Sequence, residues 1–253
     1  MTAVAVSHGL REAPVRDHAV PRLELAEWRQ RYGVIAGITT REHGFDLGLW
    51  GTGTVGDVLG RWQAFRLAFG PSFPVALTSH QVHGADVVWH DDPGGRGWML
   101  QENVDGHATA APGLLLNVTV ADCVPVYLVA PGQGVLALLH AGWRGVAGHI
   151  LRSAVELLDR RRGVRPEDLV MHCGVAICGP CYEVGRDVAR RFGAPARTVD
   201  LRAALARQAA GLGIPVVTIS PWCSAHDRER FFSHRASGGR DGRMVAYVGW
   251  PLA

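Results

Sequence analysis

One stretch in the second half of the chain constrains the fold more than any other. Residues 135–139, Val-Leu-Ala-Leu-Leu, form an apolar run of strand length, and His-Ala-Gly-Trp-Arg-Gly follows at 140–145. Small and apolar residues then resume with helical spacing, so the stretch predicts a strand, a tight turn and a helix. Gly142 and Gly145 permit tight turning or close backbone approach. The pattern places His140 at a strand end, where α/β proteins commonly hold their chemistry.

The rest of the chain mixes strands and helices without regular alternation. Strands are predicted at residues 32–40, 75–78, 85–89, 114–120, 126–129, 168–173, 216–219 and 244–250, and helices at 23–31, 58–69, 146–161, 182–192 and 201–212. Strands outnumber helices and no linker divides the sequence, which favours a mixed α/β fold with mixed sheets in a single domain over residues 21–253. We expect residues 1–20 to form a flexible N-terminal segment. Residues 108–112 are predicted to be a loop, and Pro125 predicts a bulge or break just past Cys123.

Composition excludes several functional classes. Of the 253 residues 47% are hydrophobic and 19% are charged, which is enough for a large buried core. The formal charge of +3 includes no compact block of Lys and Arg, so neither nucleic acid nor a membrane surface is an expected partner. No segment has the apolar length of a signal peptide or a membrane span, which predicts a cytoplasmic protein with small-molecule partners.

The cysteines do not indicate a disulfide framework. Their number is odd, and no secretory signal accompanies Cys123, Cys173, Cys178, Cys181 and Cys223. Cys178-Gly-Pro-Cys181 has the spacing of a redox or metal-binding pair. No second such pair follows and no thioredoxin-like context surrounds it, so we interpret this pair as structural.

Three apolar segments end alike, each at a residue that can bind a metal. His83, Cys123 and His140 stand at these ends beside Gly, Asp or Pro residues that bend the backbone. Two imidazoles and one thiolate suit Zn²⁺ with an open fourth position, the arrangement of a catalytic zinc site. The long spacing matches no local zinc motif, so three separately buried, hydrogen-bonded residues remain the alternative.

The same side chains also fit a different mechanism. Cys123 can act as a nucleophile with His140 as its base, and Asp122 or Gln81 would then be the polar partner. Copper is a further option, because imidazole and thiolate ligands bind copper tightly. The residue pattern does not separate these chemistries.

Five segments occur in the order that one known family shows. They are S-H-Q-V-H-G at 79–84, A-D-C-V-P-V at 121–126, H-A-G-W-R-G at 140–145, C-G-P-C-Y-E-V-G at 178–185 and F-F-S-H-R…G-R-M at 231–244. Over about residues 35–250 the chain resembles the YfiH/YlmD-like proteins. That family is variously described as multicopper polyphenol oxidoreductase (laccase-like), peptidoglycan editing factor and purine nucleoside phosphorylase, and it includes laccase domain-containing proteins.

The resemblance implies a fold, a cofactor and an activity. The fold is a single-domain α/β/β/α sandwich related to cysteine-hydrolase-like folds, with zinc bound by His83, Cys123 and His140. The activity is phosphorolysis of adenosine, inosine or methylthioadenosine together with adenosine deamination, so the partners are a nucleoside and phosphate. Copper-dependent polyphenol oxidation and cysteine-dependent editing of peptidoglycan precursors remain alternatives. We expect a monomer or a small homo-oligomer.

The resemblance also implies substrate-binding residues. Arg41 and Arg61 are candidates for phosphate, because guanidinium groups pair with oxyanions in bidentate fashion. Gln81, His234 and Arg235 are expected to complete the pocket.

Three positions depart from the family pattern. Asp46 and Gly60 replace asparagines, and His107 stands within the segment Asp-Gly-His-Ala-Thr at 105–109. A carboxylate beside phosphate is unfavourable unless Asp46 turns away or pairs with Arg41. His107 is a candidate for altering the substrate fit or the number of metals.

Overall fold

The computed structural model describes residues 12–15, 20–51, 53–92 and 94–252, and the backbone of residues 5–7. In chain order the strands are β1 (Ala5–Ser7), β2 (Ala13–Pro14), β3 (Arg22–Glu24), β4 (Ile35–Thr39), β5 (Val75–His80), β6 (Val87–His90), β7 (Gly97–Glu102), β8 (Gly106–Thr109), β9 (Leu114–Val120), β10 (Val124–Ala130), β11 (Val135–Ala141), β12 (Val170–Cys173), β13 (Val216–Ile219) and β14 (Met244–Gly249). The helices are α1 (Ala26–Tyr32), α2 (Val55–Phe69), α3 (Trp143–Ala147), α4 (Ile150–Arg162), α5 (Arg186–Arg191) and α6 (Leu201–Leu212).

The described strands form two seven-stranded mixed sheets. The first has the order β1-β13-β12-β10-β11-β8-β6, and the second has the order β2-β3-β4-β14-β9-β5-β7. In the first sheet β12 and β13 run parallel, whereas β10 and β11 form an antiparallel hairpin. In the second sheet β5 runs parallel to both β7 and β9. The prediction of mixed sheets is confirmed.

The two sheets face each other and carry helices on their outer sides. The layer between them is apolar, with Ile38, Leu116 and Leu138 fully buried. On the first sheet α4 and α6 cover the outer face, and on the second sheet α2 packs its aromatic residues against β14 and β9. Each large apolar side chain buried in these layers stabilises the fold by about 1.5–3 kcal/mol. The resulting α/β/β/α sandwich confirms the predicted architecture.

Several elements match the sequence prediction, and others differ from it. The strands at 114–120 and 216–219 and the helix at 201–212 have the predicted bounds. The helix predicted at 146–161 is interrupted, because His149 adopts a left-handed conformation (φ 61°) between α3 and α4. The loop predicted at 108–112 is wrong in part, since β8 extends to Thr109 as a buried strand between β6 and β11.

The bulge or break predicted at Pro125 is also wrong, because the hairpin register runs through it without interruption. Pro125 is the second residue of β10 and lies opposite His140 in the hairpin register. The chain bends earlier, at residues 121–123, where Asp122 has a φ of 88°. A proline near the start of a strand disturbs little of the ladder, which is why β10 continues through it.

The flexible segment predicted for residues 1–20 stays a prediction. Residues 1–4, 8–11 and 16–19 lie outside the described residues. Of the rest, Ala5–Ser7 pairs with β13 and Ala13–Pro14 pairs with β3. The buried carboxylate of Glu12 accepts a hydrogen bond from Ser220 Oγ at 2.8 Å. Among the described helices, none combines the length and the apolarity needed to cross a membrane.

Candidate metal-binding active site

Three chain segments bring the predicted ligands to the wall of one cavity. Cys123 immediately precedes β10 and His140 lies near the end of β11, so the antiparallel hairpin sets them side by side. His83 belongs to the segment that follows β5 of the other sheet, three residues beyond the end of that strand. The cavity has a volume of about 390 Å³ and is lined by Gly48, Leu49, Trp50, Gly51, His80, Gln81, His83, Thr119, Ala121, Asp122, Cys123, His140, Trp143, Arg144, Tyr182, His234, Arg235 and Arg243.

The three side chains have a geometry that a metal can use. Ligand atoms of His83, Cys123 and His140 all lie within 4.8 Å of one another. The two imidazole rings have centroids 4.8 Å apart and are nearly perpendicular, at 79°. Two nitrogens and one sulfur bordering an open cavity fit a zinc ion that keeps one position for water or substrate.

Asp105 holds this arrangement in place. Its fully buried carboxylate lies 2.7 Å from Nδ1 of His140 and accepts hydrogen bonds from the backbone N–H groups of Val82, His83 and Gly84. Because a carboxylate only accepts, it directs the His140 proton to Nδ1 and leaves Nε2 available as a ligand. Burial opposes the charge of Asp105, but His140 and these amides lower its pKa below the usual range.

The metal-free cluster behaves as a thiolate and imidazolium pair. Burial alone would raise the pKa of Cys123, but His140 and His83 outweigh it and lower the pKa to about 6. Burial likewise disfavours the charged form of His140, yet Cys123 and Asp105 raise its pKa to about 9. A thiolate that forms near neutral pH is the protonation state that both metal binding and nucleophilic attack require.

The two glycines of the His-Ala-Gly-Trp-Arg-Gly segment permit close approach. A Cβ atom on Gly142 would lie 3.0 Å from Cδ2 of His83 and 3.1 Å from Sγ of Cys123. A Cβ atom on Gly145 would lie 2.7 Å from the carbonyl oxygen of Gly84. Neither glycine has a positive φ, so the reason for glycine here is space rather than backbone conformation.

Asp122 lines the cavity, but its carboxylate is engaged by a neighbouring loop. Oδ1 accepts hydrogen bonds from Ser224 Oγ at 2.6 Å and Ser233 Oγ at 2.7 Å, and Oδ2 accepts from the backbone N–H of Arg235 at 2.6 Å. It therefore fixes the loop that carries His234 and Arg235. The polar group that orients His140 through Nδ1 is Asp105, rather than Asp122 or Gln81.

The other predicted pocket residues occupy the walls. Gln81 extends the pairing of β5 with β9 through its side chain, which donates to the carbonyl oxygen of Thr119 and accepts from its N–H and hydroxyl. His234 and Arg235 are exposed and line the cavity. The Arg235 guanidinium lies 5.0 Å from the ring centroid of Tyr182 and donates to the carbonyl oxygen of Glu183.

Arg41 and Arg61 do not line this cavity. The Arg41 guanidinium lies over the Phe232 ring at 4.8 Å and pairs with Asp241 at 3.4 Å. Arg61 lies on α2, with Nη1 3.5 Å from the carbonyl oxygen of Asp46. The role of these two arginines in phosphate binding stays a prediction.

The three departures from the family pattern lie outside the cavity wall. The carboxylate of Asp46 turns to backbone amides, accepting from the N–H groups of Gly48 and Arg243 at 2.8 Å each. Gly60 is exposed on α2, and among the described residues no atom outside the neighbouring residues and backbone of its own helix lies within 4 Å of the position of its Cβ. His107 is fully buried between the sheets, with Nδ1 3.1 Å from His90 and Nε2 3.0 Å from Ser79 Oγ, so in this structure it contacts neither candidate metal ligands nor the cavity.

The structure adds site residues that the sequence did not single out. Arg243 and Tyr182 line the cavity, and Trp50 forms an exposed aromatic rim beside His80 at a ring distance of 4.7 Å. The loop that carries Trp50 is anchored to α2, because Trp62 donates to the carbonyl oxygen of Leu47 at 3.0 Å. In the sequence, only the position of Asp105 within the family segment at 105–109 draws attention to it. Its contacts with His140 and with the 82–84 turn depend on the fold.

Fold and site together define a four-layer α/β/β/α protein with a Cys/His cluster suited to a catalytic metal. The chain belongs to the family described as multi-copper polyphenol oxidoreductase laccase, whose sequence model matches residues 35–251.

Related proteins carry names of nucleoside enzymes. Purine nucleoside phosphorylase YlmD of Geobacillus stearothermophilus is 33% identical to this chain, over 86% of the chain and 90% of that protein. Adenosine deaminase RL5, from an unknown prokaryotic organism, is 35% identical over 58% of this chain and 62% of its own length. The crystal structure of YlmD from Geobacillus stearothermophilus superposes with a TM-score of 0.84 at 29% identity, covering 94% of this chain and 98% of the other.

Proposed function

We propose that this protein is a zinc-dependent purine nucleoside phosphorylase that also deaminates adenosine and that accepts adenosine, inosine and methylthioadenosine. The observation that carries the proposal is the cluster of His83, Cys123 and His140 in a cavity of about 390 Å³ that arginine and aromatic side chains also line. The names of the related proteins support this reaction class.

The metal ligands would be His83, Cys123 and His140. A zinc ion held by three protein ligands activates water or polarises a substrate oxygen. Asp105 positions the ligands, because it bonds His140 directly and fixes the backbone on both sides of His83. Gly142 leaves the space in which two of the ligands approach each other.

The cavity wall offers groups for each part of a nucleoside and for phosphate. Arg144, Arg235 and Arg243 line it and can pair with phosphate oxygens. Trp50 and Tyr182 present aromatic surfaces against which a purine can stack. Burial, reinforced by the charge of Cys123, raises the pKa of Tyr182 to about 12, so its hydroxyl keeps its proton and can donate a hydrogen bond.

Phosphorolysis and deamination can both act on adenosine. In phosphorolysis a phosphate oxygen bonds to C1′ of the ribose while the bond from C1′ to N9 of the purine breaks. The purine leaves with the electron pair of that bond and takes up a proton. In deamination a water oxygen replaces the 6-amino group and ammonia is released. The arginines of the wall favour the first reaction, because they can neutralise the attacking phosphate.

The test is an adenosine assay in which the products are separated. Zinc-loaded protein is incubated with adenosine, with and without phosphate, and adenine, inosine and hypoxanthine are resolved by chromatography. We expect base release that requires phosphate and that is lost in Cys123→Ser, while Cys173→Ala, which alters a buried thiol outside the cavity, retains it. Absence of base release from the zinc-loaded wild type would overturn the proposal.

The choice of phosphate-binding arginine has its own test. Removing one charged pairing partner costs about 1.5–3 kcal/mol, which is roughly a 10- to 100-fold rise in the KM for phosphate. We expect this rise in Arg144→Gln and not in Arg152→Gln, an exposed arginine on α4. A rise in Arg41→Gln with no change in Arg144→Gln would instead assign phosphate to Arg41.

A second candidate function rests on the order of Cys123, His140 and Asp105. This is the arrangement of nucleophile, base and orienting carboxylate, and the lowered pKa of Cys123 suits a nucleophile. It would support cysteine-dependent hydrolysis of a peptidoglycan precursor. Activity that persists after zinc removal and stops on alkylation of Cys123 would favour this function over the first.

Copper-dependent polyphenol oxidation, which the family description names, is the third activity to measure. A Cys/His ligand set binds copper as well as zinc. Oxygen consumption with a phenol, in proportion to bound copper, would rank this activity above phosphorolysis. We expect none at the zinc-loaded site.

A further inference from the structure

A second group of metal-ligating side chains lies outside the ligand set of the candidate active site. Ligand atoms of Cys178, Cys181, Cys223 and His226 all lie within 4.8 Å of one another. In sequence they form two short pairs, Cys-x-x-Cys at 178–181 and Cys-x-x-His at 223–226. Because the second pair ends in histidine, it does not repeat the Cys-x-x-Cys spacing, and the sequence alone does not connect the two pairs.

The sheet topology explains why these distant pairs meet. Strands β12 and β13 are parallel neighbours, with Cys173 opposite Ile219, so the segments that follow them leave the same edge of the sheet. Those segments stay in contact, since Ala176 forms a parallel bridge with Cys223. In addition, the backbone N–H of Cys178 lies 3.3 Å from Sγ of Cys223.

Each pair lies in a short turn that local hydrogen bonds hold in place. The first pair forms a short 3₁₀ turn in which the N–H groups of Cys181 and Tyr182 donate to the carbonyl oxygen of Cys178 at 3.1 Å each. In the second pair, Asp227 Oδ2 accepts from the N–H of Cys223 at 2.9 Å and the Asp227 N–H donates to the Cys223 carbonyl oxygen at 2.9 Å.

The separations are of the size that a tetrahedral metal site needs, and His226 would bind the metal through one of its two ring nitrogens. Sγ of Cys181 lies 3.1 Å from Nε2 of His226, and Sγ of Cys178 lies 3.9 Å from Nδ1 of the same ring. Ligand atoms around tetrahedral zinc are separated by about 3.5–3.8 Å, as follows from Zn–S bonds of about 2.3 Å and Zn–N bonds of about 2.0 Å. Three thiolates and one imidazole form a closed ligand set, the kind that holds a structural zinc ion.

We propose that Cys178, Cys181, Cys223 and His226 bind a second, structural zinc ion that ties together two loops of the active-site wall. This site goes beyond the proposed function and would exist whichever reaction the cavity catalyses. The closed ligand set leaves no position for substrate, so its role is to hold the loops.

The loops that this zinc would join carry parts of the cavity. Directly after Cys181 comes Tyr182, which lines the cavity, and between Cys223 and His226 lies Ser224, whose hydroxyl donates to Asp122 at 2.6 Å. Asp122 in turn holds the backbone of Arg235. Cross-linking residues 178–181 to residues 223–226 thereby fixes two walls relative to Cys123.

The test counts metal in protein that lacks the first site. In the Cys123→Ser background we expect about one tightly bound zinc ion per chain, and we expect its loss when Cys181→Ser or His226→Ala is added. His226 is exposed, so its replacement leaves no cavity in the core. Cys173→Ala in the same background is the matched control, because Cys173 is a buried thiol on β12 outside this group, and it should keep the zinc.

Two further measurements separate a metal site from a redox pair. Replacement by Co²⁺ should produce the absorption of a tetrahedral thiolate-bound ion, which disappears in His226→Ala. Zinc removal should speed hydrogen exchange at the Tyr182 and Asp227 amides. If Cys123→Ser protein prepared with zinc under reducing conditions binds none, or if His226→Ala retains the ion unchanged, the proposal is overturned. A disulfide between Cys178 and Cys181 in freshly prepared protein would overturn it in favour of redox chemistry.

Discussion

Replacing Asp105 by asparagine tests the central claim about the site, that a buried carboxylate positions the metal ligands. Oδ1 of Asp105 interacts with the N–H of His83 and with Nδ1 of His140, and Oδ2 accepts from the N–H groups of Val82 and Gly84. An asparagine has the same shape but carries an NH₂ group in place of one oxygen. In either orientation of the asparagine side chain, its NH₂ group therefore points at N–H groups that need an acceptor.

The magnitude follows from the two orientations. If the NH₂ group faces Val82 and Gly84, two partly buried N–H groups lose their acceptor at about 1–3 kcal/mol each. If it faces His140, the proton of that ring moves to Nε2, the nitrogen that a metal needs, and loss of such a supporting partner lowers metal affinity about 10- to 100-fold. Asp105→Asn should thus lower the free energy of unfolding by about 2–6 kcal/mol, the affinity for zinc by about 10- to 100-fold, or both.

The assay pairs urea unfolding of the metal-free protein with zinc competition against a chromophoric chelator. Asp86→Asn is the matched control, because Asp86 is exposed and lies just beyond the same turn. We expect the control to resemble the wild type in both measurements. If Asp105→Asn shows no more change than Asp86→Asn, then the carboxylate does not position the ligands and the argument fails.

Other predictions follow from single contacts. Gly142→Ala should weaken zinc binding although no ligand changes, because the new methyl group would lie 3.0 Å from His83 and 3.1 Å from Cys123; zinc affinity equal to that of the wild type would contradict this. In metal-free protein, alkylation of Cys123 should increase as pH rises through about 6, since the imidazoles lower its pKa, whereas a midpoint near the usual thiol value would refute the pairing. Burial lowers the pKa of His107 to about 3 and that of His90 to about 4. The unfolded chain therefore binds more protons below pH about 6.5, so the free energy of unfolding should fall as pH drops from there towards 4, and less so in His107→Gln; equal acid sensitivity in that variant would contradict this.

Sequence patterns predicted correctly those strands and helices whose own residues show a regular hydrophobic pattern. Strand β9 and helix α6 match because an apolar run and a helical repeat are visible within a few residues. Strand β8 was missed because Gly-His-Ala-Thr has no such signal. It is a strand because β6 and β11 lie on either side of it, and His107 is tolerated there because His90 and Ser79 satisfy its nitrogens.

The residues of the candidate site likewise fall into those that the sequence indicated and those that only the structure revealed. Residue chemistry identified His83, Cys123 and His140 as a ligand set, and the family motifs supported it. Neither residue chemistry nor the motifs assigned a role to Asp105, which is 35 residues from His140 in the chain, or to Arg243, whereas Arg235 lines the cavity as the resemblance implied. A side chain's chemical type is present in the sequence, whereas the groups it faces depend on strand register and on how the sheets pack.

For this protein, the amino-acid sequence by itself determined the mixed α/β class, the family and the side chains able to bind a metal. Only the tertiary structure decided that Asp105 orients His140, that Asp46 turns to backbone amides, and that the pairs at 178–181 and 223–226 form one cluster. The physical reason is the distance along the chain over which each kind of interaction acts. Periodicity and turn formation depend on neighbours in the chain, but hydrogen bonds and metal sites depend on atoms brought within a few ångströms by the packing of the two sheets.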